Sequence, residues 1–442
     1  MSLFGAMNTA ISGLTAQSSA FSNIGDNVAN SQTVGYKRVD TNFIDYLTSS
    51  TATQNDSGAV TTTPDYVNNV QGTVTQTDNP LGLAIAGQGF FAVSQQSGEV
   101  NNIPTFNPQQ FYTRAGDFQM DKNGFLVNSA GDYLNGWPVD ANTGVVNQNT
   151  LQPIQVTQTV YNPVATSQVT LSANLPATPA TGTGTTTSPI TSDIDVYDSL
   201  GNLHTVALNW SQNSTNNWTM TMTSDGNPIA GSANVAFGSG AAGSTAAGTI
   251  SGVTETGLAA ASPAYDPTNS AAQPAYLSFQ VDLGTGTPQT IQLNLGNYGQ
   301  STGLTQYAGT QYNLRGLTQN GVPPGAFSSV TTQANGDIAV NYDNGQSRVI
   351  AQVPVVTFND PNALQRQNGQ AFTASSGSGT PLAESAGSNG AGTLATGSVE
   401  SSNVDIATEF SKLIVAQQAY SANTKMVTTA SQMLQQTIDM KQ

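Results

Sequence analysis

His204 is the chain's whole supply of imidazole, and there is no cysteine at all. Histidine triads and multi-histidine metal sites are therefore severely limited. Disulfides, thiolate catalysis and cysteine-type zinc sites are removed together. His204 stands in a strand pattern beside Leu203, which fits a structural imidazole. Asp193, Asp195 and Asp198 invite a calcium reading. However, the sixth loop position is Asp198 rather than glycine and the twelfth is His204 rather than a bidentate glutamate, so the pattern fails. "GSGAAG" at 238–243 spells the dinucleotide-binding fingerprint, but in a Thr/Ala/Gly stretch with no βαβ unit around it and no helix pattern after it. Spacing does not exclude a carboxylate pair for glycoside hydrolysis, and nothing singles one out. The reading is a protein that is not an enzyme, with no catalytic residues, no cofactor and no metal.

Composition points to surfaces rather than sites. At 442 residues, two to four domains are expected. Only 8% of residues are charged, against roughly 25% in a typical globular domain. Thr, Ser, Asn, Gln and Gly fill the gap, and such surfaces pack against copies of themselves without burying ions. The ten Lys and Arg are scattered and the net charge is −16. That opposes nucleic-acid binding, which rests on clustered cations, and leaves no basic face for anionic membranes. No window approaches the roughly 18 apolar residues of a membrane span, so no membrane insertion is expected. "MSLFGAMNTAISGLTAQSS" lacks a cationic start and an unbroken apolar core, so it does not read as the usual secretory signal. Export, if it occurs, is expected to keep these residues.

The elements that could present such surfaces are at the two ends. Leu3, Met7, Ala10, Leu14, Gln17, Phe21, Ile24 and Val28 repeat in alternating steps of four and three, a heptad seam with one polar member. Ile406, Phe410, Leu413, Gln417, Tyr420, Thr424, Val427, Ser431, Leu434 and Ile438 keep the same spacing with three polar members. These predict helices at about 2–29 and 404–440, roughly 40 and 55 Å long. Ser402 with Asp405 fits a capping box, Asp405 and Glu409 suit the positive helix end, and Lys441 the negative one. Ordering a 28-residue helix costs about 1–2 kcal/mol per residue, and six good seam residues return only about 1.5–3 kcal/mol each. Termini that are flexible in the free chain and ordered by neighbouring copies are therefore expected. A membrane-surface helix would want cations on its polar face, and none precedes Lys37. The first helix should stop at "NVANSQTVGYKR", where Asn30, Ser31 and Gly35 offer turn and cap chemistry. From there the chain is expected to leave the seam for solvent, where Lys37 and Arg38 are tolerable.

Between the ends, alternation predicts strands. Val206, Leu208 and Trp210 alternate, as do Trp218, Met220 and Met222, with "SQNSTNN" between them as a hairpin. Leu277, Phe279, Val281 and Leu283 form a further run, and Ile291, Leu293 and Leu295 another. "DKNG" at 121–124 and "DNG" at 343–345 read as turns. Residues 176–189 and 238–248 read as loops, and 375–398 as a flexible or weakly ordered approach to the last helix. The expected class is α+β, mainly β, with discontinuous nested domains. Residues 1–30 with 403–442 would form a coiled-coil-like helical core, 31–75 with 365–402 a connection, 76–154 with 311–364 an inner β domain, and 155–310 an outer one.

Several longer stretches carry a resemblance. "NIGDNVANSQTVGYKR", with Asn27, Asn30, Gly35, Tyr36 and Lys37, is one. "GQGFFAV" at 87–93, "YTRAGDFQMDKNGFLVNSAGDYLNGW" at 112–137 and "VYDSLGNLHTV" at 196–206 are others. So are the stretch from Pro323 to Leu364 and "SNVDIATEFSKLIVAQQAYSANTKMVTTASQML" at 402–434. In this order they resemble the bacterial flagellar rod and hook axial proteins, most closely the hook members. The resemblance covers over a third of the chain. Gln418 stands where many members carry Arg, and Ala363 where a Gly is common; residues 155–310 match only at their edges.

The resemblance implies a structural subunit of the flagellar hook. It would self-assemble into a curved, flexible tube, a universal joint carrying torque from rod to filament. Leu3, Met7, Ala10, Leu14, Phe21, Ile24 and Val28, with Ile406, Phe410, Leu413, Tyr420, Val427, Leu434 and Ile438, would be the contacts of the polymer core. Implied partners are copies of the chain, the distal rod protein, the hook cap protein, the hook–filament junction protein and the flagellar export apparatus. Export would be of type III without cleavage, to an extracellular place in the hook. The runner-up readings are a distal rod protein and, in a different class, a secreted β-rich carbohydrate-active enzyme.

Overall fold

The computed structural model describes the chain apart from residues 1–2, 51–54, 142, 178–188, 242–243, 267, 269–271 and 441–442. It is mainly β with one long helix near each end, as the class reading expected. The chain divides into two compact units. One comprises residues 1–158, 328–341 and 347–442, and the other 159–327 and 342–346. Among the described residues no helix is long and apolar enough to cross a membrane.

In the first unit, helix α1 (Leu3–Ala29) and helix α2 (Ile406–Asp439) lie within a residue or two of the ranges predicted. Many of their hydroxyls bond within the helix. Thr9, Thr15 and Ser19 donate to the carbonyls of Gly5, Ile11 and Thr15, and Ser411, Thr424 and Thr437 do the same on α2. A hydroxyl folded back in this way turns its methyl or methylene outward. α2 is capped by Asp405, whose carboxylate accepts from the Ala407 and Thr408 amides. The predicted Ser402–Asp405 box does not form, because Ser402 Oγ accepts from Val404 N instead. Lys441 lies outside the described residues.

After α1 the chain forms a long antiparallel hairpin of strands β1 (Val39–Ser50) and β2 (Asn55–Tyr66). It is stitched to α1 by Asn23 Nδ2 donating to Thr41 Oγ1 (2.8 Å) and Val60 N donating to Ser12 Oγ (3.0 Å). Beyond it, the strand Phe91–Val100 pairs with Phe111–Thr113 on one side and Asp132–Pro138 on the other. The returning chain completes this sheet, with Ala371–Thr373 against Phe111–Thr113 and Ser347–Gln352 against Asp132–Pro138. Phe90, Tyr112, Phe358 and Phe372 pack edge to face in its core. The turns predicted at 121–124 and 343–345 each join adjacent strands.

Residues 375–398 differ from expectation. They hold short strands that pair Leu382–Glu384 with Val355–Thr357, Thr393–Thr396 with Leu83–Ala86, and Ser398–Glu400 with Val74–Gln76. Leu394 and Ala391 are buried there. The glycines that read as flexibility serve tight turns, Gly387 at φ 76° and Gly390 at φ 83°.

The second unit carries two five-stranded sheets. One is an antiparallel meander from Ile190–Tyr197 through Leu203–Ser214, Asn217–Ser224 and Asn227–Phe237 to Ile250–Thr256. The other contains Pro274–Val281, Gln289–Asn297, Gln168–Asn174 and Asn313–Gln319, with one parallel pair between Gln168–Asn174 and Gln289–Asn297. The alternating residues all point to one core: Val206, Leu208, Trp210, Trp218, Met220, Met222, Leu277, Phe279, Ile291 and Leu293 are each at most 1% exposed. The "SQNSTNN" hairpin forms, its turn at 215–216 made by Asn216 at φ 63°. The loop 176–189 falls at 178–188 outside the described residues. The 238–248 segment leads into the strand Ile250–Thr256 with no helix among its described residues.

Phe279→Ala should lower the stability of the second unit by about 3–5 kcal/mol, the usual cost of an emptied aromatic site. Calorimetry of the full chain should show one transition displaced to lower temperature and the other unmoved.

Candidate functional site: the helix pair and its charged base

α1 and α2 run antiparallel. Asn27 meets Glu409 at one end, Phe21 and Tyr420 touch edge to face at 6.2 Å, and Gly13 faces Asn423 further along. The buried apolar residues of both helices are mostly small. Ala10, Ala16, Ala20 and Ile24 are the buried apolar positions of α1, and Ala416 and Ala430 those of α2. A Cβ at Gly13 would lie 2.9 Å from Asn423 Nδ2, so only glycine allows this approach without a shift.

The predicted seam residues divide between this contact and the outside. Ala10 and Ile24 are buried; Met7, Leu14, Phe21, Val28, Leu413, Val427 and Leu434 are half-buried. Ile406, Phe410, Tyr420 and Ile438 are exposed, and the side chain of Leu3 lies outside the described residues. On α2 the fully buried positions are Glu409, Ala416 and Ala430, each one residue before the predicted Phe410, Gln417 and Ser431. On α2, Ile406 and Phe410 thus stay outside the buried line while Leu413, Val427 and Leu434 are partly covered. Phe4 (61%), Val415 (66%), Ile414 and Met426 join the exposed set.

At the base of the pair the motif residues come together. Asn27 uses both ends of its amide. Its Nδ2 donates to Val39 O (2.9 Å) and Glu409 Oε2 (3.1 Å), while its Oδ1 accepts from Val39 N (2.9 Å) and Tyr36 Oη (3.2 Å). Asn30 donates to Asp26 O and so closes the last turn of α1, as expected. Gly35 sits at φ 70°, and a Cβ there would meet Ala115 N at 2.3 Å. Tyr36 is covered by the Arg366 guanidinium, 5.0 Å from its ring centre. Burial raises its phenol pKa, against the opposing pull of Arg366.

Lys37 corrects the expectation that the chain leaves for solvent here. Its side chain is fully buried and donates to Val70 O (2.8 Å) and Glu400 Oε1. Glu400 Oε2 accepts from Arg114 Nη1 (2.8 Å), and Arg114 Nη2 donates to Gly87 O (2.7 Å). Glu400 Oε1 also accepts from Gly72 N (2.8 Å), and its backbone carbonyl from Gly35 N (2.8 Å). Burial, opposed by the attraction of Glu400, brings the Lys37 amine down to about 8. The cluster thus ties residues 35–37, 70–72, 85–87 and 114 to a carboxylate over 360 positions downstream of Lys37. Above it, Lys412 bridges Asp40 Oδ1 (2.6 Å) and Glu409 Oε1 (2.8 Å), and Asn403 Oδ1 accepts from Arg38 N (2.7 Å).

Sequence reasoning missed Glu400, Arg114, Glu409, Lys412 and Arg366 as partners of the motif. The usable signal was scarcity: in a chain with few charges, all five of these groups and Lys37 stood inside or within two residues of the segments already singled out. Chemically the site is a fastening. Its carboxylate is sealed from solvent and already shared by two cations. Beside it a groove of about 590 Å³, lined by Ala20, Ile24, Val39, Phe43, Lys412 and Val415, is mostly apolar. Among the described residues no group of three or more acidic or histidine side chains could hold a metal ion.

Known proteins match along the whole chain. Residues 7–37 match the family model described as flagella basal body rod protein, and 395–440 that of the flagellar basal body rod FlgEFG protein C-terminal. Residues 84–174 match the flagellar hook protein FlgE/F/G D1 domain, and 165–322 the flagellar basal body protein FlaE D2 domain. The last match spans the region where the sequence resemblance reached only the edges. The flagellar hook protein FlgE of Brucella suis is 31% identical over the full length of both chains. Those of Escherichia coli K12 and Salmonella typhimurium are each 28% identical, over 99% and 98% of this chain and 100% and 99% of theirs. Among solved structures, the Helicobacter pylori flagellar hook protein FlgE2 matches 72% of this chain and 98% of its own at a TM-score of 0.46 and 13% identity.

Glu400→Gln should leave two buried cations without their anion and cost about 3–5 kcal/mol. Adding Lys37→Met should recover part of that loss, as read from urea unfolding of the first unit. Equal destabilisation by the single and double variants would show that the three charges do not act together.

Proposed function

The chain belongs to the flagellar hook protein family, and from that premise we propose that its copies pack their terminal helices side by side to form the inner wall of a curved, flexible tube. It is a structural subunit of the bacterial flagellar hook, outside the cell, and not an enzyme. The full-length relatives named above are hook proteins, which sets aside the distal rod and carbohydrate-active readings.

One observation carries the proposal: although Phe21 and Tyr420 touch within the chain, Phe410, Ile414, Val415, Met426 and Ile438 of α2 stay exposed. Each such side chain gains about 1.5–3 kcal/mol when covered. Apolar partners of matching chemistry are present on every copy, in Phe4, Ile11 and the half-buried Met7 and Leu14 of α1. Several polar neighbours on both helices are hydroxyls already bonded to their own carbonyls, and charges are few there, so covering this surface desolvates few ions. The predicted seam residues of both helices are the contacts of this wall. Residues 1–30 with 403–442 form it, 31–75 with 365–402 connect it to the β domains, and 76–154 with 311–364 and 155–310 are those domains. Passage through the type III flagellar export apparatus without cleavage, and contact with the distal rod, hook cap and hook–filament junction proteins, follow from the same family reading.

Leu14→Asp or Leu434→Asp places a charge in the wall. Each should abolish tubes in electron micrographs of concentrated protein while circular dichroism shows the β units intact. Normal tubes from either variant would overturn the assignment.

A further inference from the structure

The second unit contains eight carboxylates, and Arg315 is its one permanently charged base. Arg315 is engaged with the carbonyls of Ala173 and Gly303. His204 is thus the single side chain of that unit able to gain a positive charge. It sits at one end of the antiparallel sheet, opposite Val196 in register, between two turns. On one side is Asp225, in the Asp225–Gly226 turn at φ 49° and 82° that joins Asn217–Ser224 to Asn227–Phe237. Asp225 Oδ2 lies 2.7 Å from His204 Nδ1, and its Oδ1 accepts from Thr205 N at 3.0 Å. On the other is Asp198, in the turn that joins Ile190–Tyr197 to Leu203–Ser214. Its Oδ1 accepts from the Leu200 and Asn202 amides, and its Oδ2 is 3.5 Å from His204 Nε2.

We propose that His204 is a proton-operated clip, which fastens both turns to the sheet end when the imidazole is charged and only one of them when it is neutral. A neutral imidazole has one N–H and can donate to only one of its two carboxylates; the cation donates to both. Every titratable group facing the ring is acidic. Asp198 and Asp225 flank it, Asp195 is held beside it through Thr205 Oγ1, and Asp282 of the other sheet lines the same cleft of about 460 Å³. The hydrogen bond to Asp225 raises the imidazole pKa, and burial opposes it. A raised folded-state value means that the clip's stabilisation is complete below the ordinary value of about 6.5 and is lost as pH rises through the folded value. Asp225, lowered by the same hydrogen bond, sets the acid limit: its share is lost as pH falls through its own depressed value. Within that window the sheet end is tied. A hook subunit meets the pH of the medium, so the clip responds to surroundings the cell does not buffer.

The test uses the full chain labelled with 13C at histidine Cε1, where one histidine gives one signal. The midpoint should lie above about 6.5, and the amides of Leu200, Asn202 and Gly226 should titrate with it. Asp225→Asn should move the midpoint down. His204→Gln should lower the melting transition of the second unit at about pH 6 and leave it unchanged at about pH 9. If His204→Gln does not fold, the wild-type and Asp225→Asn titrations decide alone. A midpoint at or below the ordinary value, or turn amides that stay silent while the ring titrates, would overturn the proposal.

Discussion

The two terminal helices bury few large apolar side chains inside a single chain. Ala10, Ala16, Ala20 and Ile24 of α1 and Ala416 and Ala430 of α2 are their buried apolar positions, and alanine surfaces return little free energy per residue. Even with the hairpin stitched to α1, that burial is small beside the cost of ordering a 27-residue and a 34-residue helix. The missing stabilisation is displayed on the outside of the pair. On the proposed reading, assembly completes a core rather than adding to one.

Scarcity of charge serves the same end. On the faces proposed to be covered by neighbours, many Ser and Thr hydroxyls bond back to the helix and few ions have to be desolvated. The few charges are instead concentrated below the pair, where Lys37, Arg114 and Glu400 are buried together. A buried ionic cluster is a poor source of stability but a strong source of uniqueness, since any other arrangement leaves a charge unpaired. Here it fixes outgoing and returning chain to one another beneath helices that carry load. Asn27, Tyr36 and Arg366 extend the fastening on one side, Asp40, Glu409 and Lys412 on the other.

What could be read in advance was whatever depended on near neighbours in sequence. The heptads of α1 and α2, the alternation through Val206, Leu208 and Trp210, and the Asn–Gly turns at 123–124 and 344–345 are periodic or local signals, and each produced the element expected. Lys37 was misread because its environment is made by Val70, Arg114 and Glu400, none of them near it in the chain. Residues 375–398 were misread for the same reason: a Gly- and Ser-rich stretch looks flexible until partner strands at 74–76, 83–86 and 355–357 are in place. Helix rotation was also beyond reach. A 4-3 repeat identifies a stripe, but how much of that stripe is covered inside one chain depends on how many partners the helix has.

Amide hydrogen exchange across residues 3–29 and 406–439, followed in dilute chain and in assembled tubes, bears most directly on this account. The account predicts rapid exchange in the dilute chain, slowing as concentration rises, and deep protection in the tube, with the strands of both units protected throughout. Helices equally protected in dilute chain and tube, at every concentration, would contradict it.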